Sequence, residues 1–197
     1  MKKILLASAL LLNVSFADWF VETQDDIFTG KKNAILIGDF YPSDQALAFE
    51  CQGKDLIISY LEPYQEKVSP VLFKMLFKID DNQIYEFEGE LSNRNNKYVQ
   101  VSSYMYDKEK FKHLLNELLN AKTKMVIGVK ASNASGFQQS LTANVRGSTK
   151  AVREFGKICG IAVTNEELAK EKRDEEEREK NDTREKVVID VKGYQDW

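Results

Sequence analysis

The chain is poor in the residues on which most catalytic and metal chemistry is built. Its 197 residues include one histidine, His113, and two cysteines, Cys51 and Cys159. A nucleophile-histidine-acid site would have to use that single imidazole. A zinc site would want further Cys or His ligands at short spacing, so no metal site is expected. With 3 prolines and 10 glycines the chain is neither collagen-like nor low-complexity. Phosphate loops, dinucleotide fingerprints, calcium loops and zinc-protease helices are all missing, so no cofactor is implied. Positive charge is not in excess either: 28 Lys and Arg face 31 Asp and Glu, a formal net charge of -3. That balance does not suit the neutralisation of phosphates, and nucleic acid is not expected as a partner. What is present is 43% hydrophobic, 11% aromatic and 30% charged residues, the make-up of one ordinary folded domain with something charged attached.

Residues 1–17 have the three parts of a secretory signal. Lys2 and Lys3 precede the apolar run Ile4 to Leu12, and Ser15 and Ala17 supply small residues at positions -3 and -1, so cleavage is expected between Ala17 and Asp18. The run is well short of the roughly 20 residues that span a bilayer. No second long apolar segment follows, and no integral membrane segment is expected after cleavage. Loss of Lys2 and Lys3 leaves 26 basic against 31 acidic residues, a net charge of -5.

Export changes how the cysteines are read, because an oxidising compartment lets a pair of thiols close and persist. Cys51 and Cys159 are expected to form a disulfide across 108 positions. A loop of that order is worth about 4 to 5 kcal/mol in the chain-entropy model. A catalytic thiol would want an electropositive neighbourhood, and Glu50 stands beside Cys51.

Short β-prone runs fill the first half of the mature chain: Trp19 to Thr23, Ala34 to Phe40, Ala46 to Cys51 and Leu56 to Leu61, divided by Pro42, Ser43, Gln52 and Gly53. From Val71 to Asp80 the residues Phe73, Met75, Phe77 and Ile79 alternate with Lys74 and Lys78, the period of a half-buried strand. A turn at Asp81-Asn82 leads to Ile84 to Leu91, where Glu86, Glu88 and Glu90 alternate with Tyr85, Phe87 and Gly89. Tyr98 to Met105 continues the pattern as a further strand.

The period then changes. Asp107 is placed to cap a helix in which Phe111, Leu114, Leu115, Leu118 and Leu119 recur at i, i+3, i+4, i+7 and i+8. Lys124 to Ala131 and Phe137 to Val145 read as strands. A second helix carries Ala151, Val152, Phe155 and Cys159, with Ser148 as its plausible cap. Many strands and only two such helices, without repeated β-α-β alternation, indicate an α+β fold: a mostly antiparallel, sandwich-like β-sheet with two packed helices. The expected division is a signal peptide at 1–17, a periplasmic domain at 18–163 and a charged tail at 164–197.

The tail begins with Thr164-Asn165-Glu166-Glu167, which fits a capping box. Pairs such as Glu166 with Lys170 and Asp174 with Arg178 stand at i, i+4 and favour a solvated helix. A coiled coil would need sustained apolar positions that the segment lacks. It reads as a frayed helix or disordered stalk, with a partner-binding or spacing arm as the alternative. Val187, Val188, Ile189 and Val191, with Tyr194 and Trp197, could add as a strand to a partner's sheet edge or have no role. Asn181-Asp182-Thr183, with Glu179 before it, is an acceptor sequon.

No residue constellation in the chain names a reaction. His113 lies two positions from Phe111, about 200° round the helix, so it faces away from the apolar stripe. Asp25-Asp26 and Asp80-Asp81 stand where turns are needed, and Glu86 and Glu88 share the polar face of a hairpin. Paired carboxylates such as these could serve glycoside chemistry in principle, but acidic turn residues are ordinary.

Several of these features fall in a familiar order: Trp19-x-Val21, Asp26-x-x-Thr29-Gly30, a strand ending in Cys51, Phe77-Lys78-Ile79-Asp80, the amphipathic helix, and Gly147-x-x-x-Ala151 running to Cys159. In this order the chain resembles small exported bacterial proteins of the invasion-associated locus B kind and the related periplasmic accessory proteins of type VI secretion loci. The resemblance covers about Asp18 to Cys159. It implies a periplasmic or secreted β-rich domain without an established catalytic site, working by interaction. Lys78 departs from the Arg often seen there, and the charged tail is additional. The function expected is that of a non-enzymatic accessory or interaction protein whose partner is a protein or envelope component. The alternatives are an envelope hydrolase acting on glycan or peptidoglycan through carboxylates, and an inhibitor of a secreted enzyme.

Overall fold

The structure, a computed structural model, describes residues 18–30, 32–40, 43–53, 55–105, 107–132 and 136–193, with the side chains of 179 and 181–193 outside that description. The expected leader with Ala17, the side chain of Asn181, and Tyr194 and Trp197 all lie outside the described residues.

In chain order the elements are β1 (Trp19–Asp25), β2 (Lys32–Asp39), β3 (Ala46–Gln52), β4 (Asp55–Pro63), β5 (Leu72–Ile79), β6 (Ile84–Asn93), β7 (Tyr98–Tyr104), α1 (Lys108–Leu119), β8 (Lys124–Ala131), β9 (Gln138–Asn144), α2 (Ser148–Cys159) and α3 (Asn165–Gly193). The fold is α+β, with a mostly antiparallel sheet of nine strands and three helices. The strands join in one ladder in the order β1-β2-β3-β4-β7-β6-β5-β8-β9. The sandwich-like part of the expectation finds no second sheet among the described residues.

Alternation decides which side chains point inward. On β5, Phe73, Met75, Phe77 and Ile79 are buried while Leu72, Lys74 and Leu76 are exposed. Direct pairing carries the same face across the ladder: Met75 stands opposite Phe87 on β6 and Val129 on β8, and Leu36 on β2 stands opposite Phe49 on β3. Most of the buried apolar side chains of the strands therefore lie on one face. That face is concave. The Trp19 indole Nε1 donates to the Asn144 carbonyl at 2.7 Å, and Asp18 N donates to the Arg146 carbonyl at 3.1 Å, bringing β1 beside the end of β9 without a ladder between them. Gly38 permits this closure, because a Cβ there would lie 2.6 Å from the indole ring of Trp19.

Helix α1 is seated inside one end of the curl. Asp107 caps it by accepting from Lys110 N, and Phe111, Leu114, Leu115, Leu118 and Leu119 are buried. Phe111 meets Phe49 edge-on, with ring centroids 5.7 Å apart. Helix α2 follows Gly147, whose backbone is left-handed, and no side chain caps it. This corrects the expectation for Ser148, which is the first helical residue and fully buried. Its hydroxyl donates to the Leu118 carbonyl at 2.9 Å, and the Thr149 hydroxyl donates to that of Leu119 at 2.9 Å. The carbonyls of Leu118 and Leu119 at the end of α1 thus take hydroxyl donors from the first turn of α2. Gly160, also left-handed, ends α2.

The capping box expected at α3 forms in both directions: Glu167 N donates to Thr164 Oγ1 at 3.2 Å, and Thr164 N donates to Glu167 Oε2 at 3.0 Å. Lys112 ties this helix to α1, with its ammonium 2.8 Å from Glu109 and 2.7 Å from Glu171. Burial alone would push Lys112 down, but the hydrogen bonds and charge of the two carboxylates outweigh it and hold it above its ordinary value.

Candidate functional site

The concave face of the sheet is divided between two kinds of contents. Leu56, Ile79, Tyr85 and Met125 lie at the end that α1 and α2 fill. At the opposite end no described helix lines the sheet, and a pocket of about 390 Å³ is left. Its walls come from six strands or their flanks: Tyr60 and Glu62 on β4, Phe73 on β5, Leu91 on β6, Val99 and Val101 on β7, Val129 and Ala131 on β8, and Phe137 just before β9. Tyr64, Val68 and Val71, from the connection between β4 and β5, close the rim. Inward parity places each strand residue here, the same parity that places Met75, Phe77 and Ile127 in the core. The difference is the occupant on the far side, not the strand.

One polar cluster interrupts the apolar lining. Tyr60 is 2% exposed. Its hydroxyl accepts from Gln45 Nε2 at 2.8 Å and stands 3.2 Å from Glu62 Oε2 and 3.4 Å from Gln139 Oε1. A phenol has one proton, so Glu62 and Gln139 are alternative acceptors of it. The contact with Gln139 also bridges β4 to β9, which are not neighbours in the ladder. Burial pushes the Tyr60 phenol well above its usual range, and the negative charge of Glu62 adds to the shift. Tyr60 therefore stays protonated and serves as a donor. Phe73 and Phe137 meet edge-on at 5.9 Å, giving the mouth an aromatic wall.

The cysteines singled out in the sequence are joined: Cys51 and Cys159 form a disulfide with Cα atoms 6.0 Å apart and a sequence separation of 108. Cys51 pairs in register with Leu56, whereas Leu47 on the same strand pairs with Tyr60. The bridge therefore ties β3 to the end of α2 at the helix-filled end, away from the pocket. Asp18 sits at the rim of that closure, where its carboxylate pairs with Arg146 at 2.8 Å.

Of the carboxylates considered for glycoside chemistry, Asp80, Asp26 and Glu86 are taken up by local structure. Asp80 has φ +49° and accepts from the backbone N–H groups of Lys122, Thr123 and Lys124 at 2.8, 2.9 and 3.1 Å, and from the Thr123 hydroxyl. These bonds, with the Thr123 hydroxyl foremost, hold its carboxyl far below the usual range. Asp26 folds the β1–β2 turn by accepting from Phe28 N at 2.9 Å and from the Thr29 hydroxyl at 2.6 Å. Glu86 pairs with Lys74 at 2.7 Å across the β5–β6 hairpin, on its exposed face. His113 is exposed on α1. None of these residues lines the pocket. Among the described residues no cluster of three or more His, Cys, Asp or Glu is arranged to hold a metal ion.

Sequence reasoning missed Tyr60, Glu62, Gln45 and Gln139 as a group. The one local signal is a tyrosine and a glutamate at i, i+2 in a β-prone run, which puts both on one face of a strand. No local signal joins them to Gln139, 79 positions from Tyr60. No protein-family model, curated protein or solved structure matches this chain.

Proposed function

We propose that the protein is an extracytoplasmic binding protein, an accessory of the cell envelope or of secretion, that holds an apolar group of its ligand in the pocket of the curled sheet without transforming it. The observation that carries this reading is the pocket itself: about 390 Å³, apolar on nearly every side, with a single convergent polar cluster. Export is supported by the intramolecular disulfide. It is supported too by Asp18, the first residue after the expected cleavage site, which is already engaged through its backbone and side chain with Arg146. No described helix is long and apolar enough to cross a membrane. Two halves of the sheet face each other across the pocket through Tyr60 and Gln139, the nearest this fold comes to a sandwich. The charged helix α3, fastened at its start by Lys112 and Glu171, is the arm of this reading, free to space the domain from a partner. Against a carboxylate hydrolase stand the backbone bonds taken by Asp80 and Asp26.

The test is a titration of the oxidised mature protein with the neutral fluorophore N-phenyl-1-naphthylamine. Saturable enhancement at one site, lost in both Ala131→Phe and Val99→Trp with circular dichroism unchanged, is the expected result. No saturable enhancement, or enhancement that survives both substitutions, would overturn the reading.

A further inference from the structure

We infer that the pocket selects a single-chain amphiphile whose polar end is a cation or hydrogen-bond donor, and discriminates against a carboxylate of the same length; this rests on the binding reading above. Three features carry it. The first is size. About 390 Å³ lies near the lower end of the range of small-molecule sites, so one alkyl or aryl group fits and a pair of acyl chains does not.

The second is charge. Among the described residues lining the pocket, Glu62 is the only ionisable acid or base apart from its two tyrosines. Fatty-acid recognition wants a cation or spare donors at the polar end, and no described lining residue supplies a cation or a donor without an acceptor already in reach. The Tyr60 hydroxyl already has two acceptors in reach for its one proton, and the Gln45 amide is turned to Tyr60. What remains among the described lining residues to face a ligand is acceptor capacity, the Glu62 carboxylate. A carboxylate head would meet Glu62 across an apolar space in which repulsion is poorly screened, whereas an ammonium would be paired there.

The third is the aromatic rim. Phe73, Phe137 and Tyr64 line the pocket, and aromatic faces attract a cation on its way to Glu62. Tyr64 donates to Glu66 at 3.3 Å, which adds a second negative group near the mouth.

The experiment is calorimetric titration of the oxidised mature protein with n-alkylamines and n-alkanoates from hexyl to dodecyl, below their micellar concentrations, at pH 7.5 and low salt. Amines should bind about tenfold tighter than carboxylates of equal length, the worth of one charge-assisted contact. Affinity should rise about fourfold per methylene until the pocket is full. Glu62→Gln should bring amine and carboxylate within about threefold of each other while leaving the methylene increment unchanged. Failure of every head group to bind at any length would overturn the binding reading itself. Chain-length dependence with carboxylates equal or preferred, or an amine preference untouched by Glu62→Gln, would overturn the head-group inference and leave the pocket standing.

Discussion

The indole nitrogen of Trp19 donates to the carbonyl oxygen of Asn144 at 2.7 Å, joining the first strand of the sheet to the end of the last across 125 positions. This bond holds the curl that makes the concave face. Gly38 lies directly beneath the ring, so Trp19→Phe and Gly38→Ala act on one contact from opposite sides. Each alone should lower stability by about 1 to 3 kcal/mol, the first by losing a hydrogen bond and leaving space, the second by overpacking. Together they should cost less than their sum, because the smaller ring makes room for the new methyl. Urea unfolding of the four proteins checks this.

The bridge between Cys51 and Cys159 closes a loop across 108 positions at the helix-filled end. Replacing both cysteines by serine should cost about 2 to 5 kcal/mol, read as a lower midpoint in urea. Apolar-probe binding should persist in the folded variant, since the bridge lies away from the pocket. A free-thiol count on non-reduced protein should find none.

On the convex face, Glu50 is 3% exposed and takes both terminal nitrogens of Arg94, at 2.6 and 3.2 Å. Among the described residues, Arg94→Ala leaves that carboxylate with the hydroxyl of Ser59 at 3.3 Å and the amide of Gln52 at 3.5 Å. The loss should be about 3 to 5 kcal/mol. The double change Glu50→Leu with Arg94→Leu should recover much of it, because the uncompensated charge is gone. A double variant as unstable as Arg94→Ala would contradict this.

Asp80 gives a signed dependence on pH. Its folded carboxyl is held below its ordinary value of 3.8, chiefly by the Thr123 hydroxyl and then by the backbone of Lys122 and Lys124. Its contribution is therefore full above 3.8 and fades as the pH falls below that value towards the folded one. The deficit in melting temperature of Asp80→Asn should be constant from pH 5 to 7 and shrink below pH 4. A deficit that grows on acidification would contradict the assignment.

The strands and the first two helices were legible because each depends on a local period. Phe73 to Ile79 alternate, and Phe111 to Leu119 repeat as a helix, whatever surrounds them. The disulfide was legible from the count of two cysteines together with the expected export. The pocket was not, because Val99, Val101, Val129 and Ala131 carry the same inward parity as Phe77, Ile127 and Met125. Whether an inward residue meets α1 or open space depends on how far the helix reaches into the curl. Ser148 shows the same limit on a smaller scale, since its position suits a cap and its hydroxyl is taken by Leu118 of another helix. Lys112 follows Phe111 in the sequence and is buried with its ammonium between Glu109 and Glu171 of α3, a contact no local period reports.

The most direct test of the account is a methyl chemical-shift map of the oxidised mature protein titrated with n-decylamine. Shifts should concentrate on the methyls of Val71, Leu91, Val99, Val101, Val129 and Ala131, with Leu114 and Leu118 of the helix-filled end unchanged. Shifts confined to the convex face or the helices, or none at saturation, would contradict it.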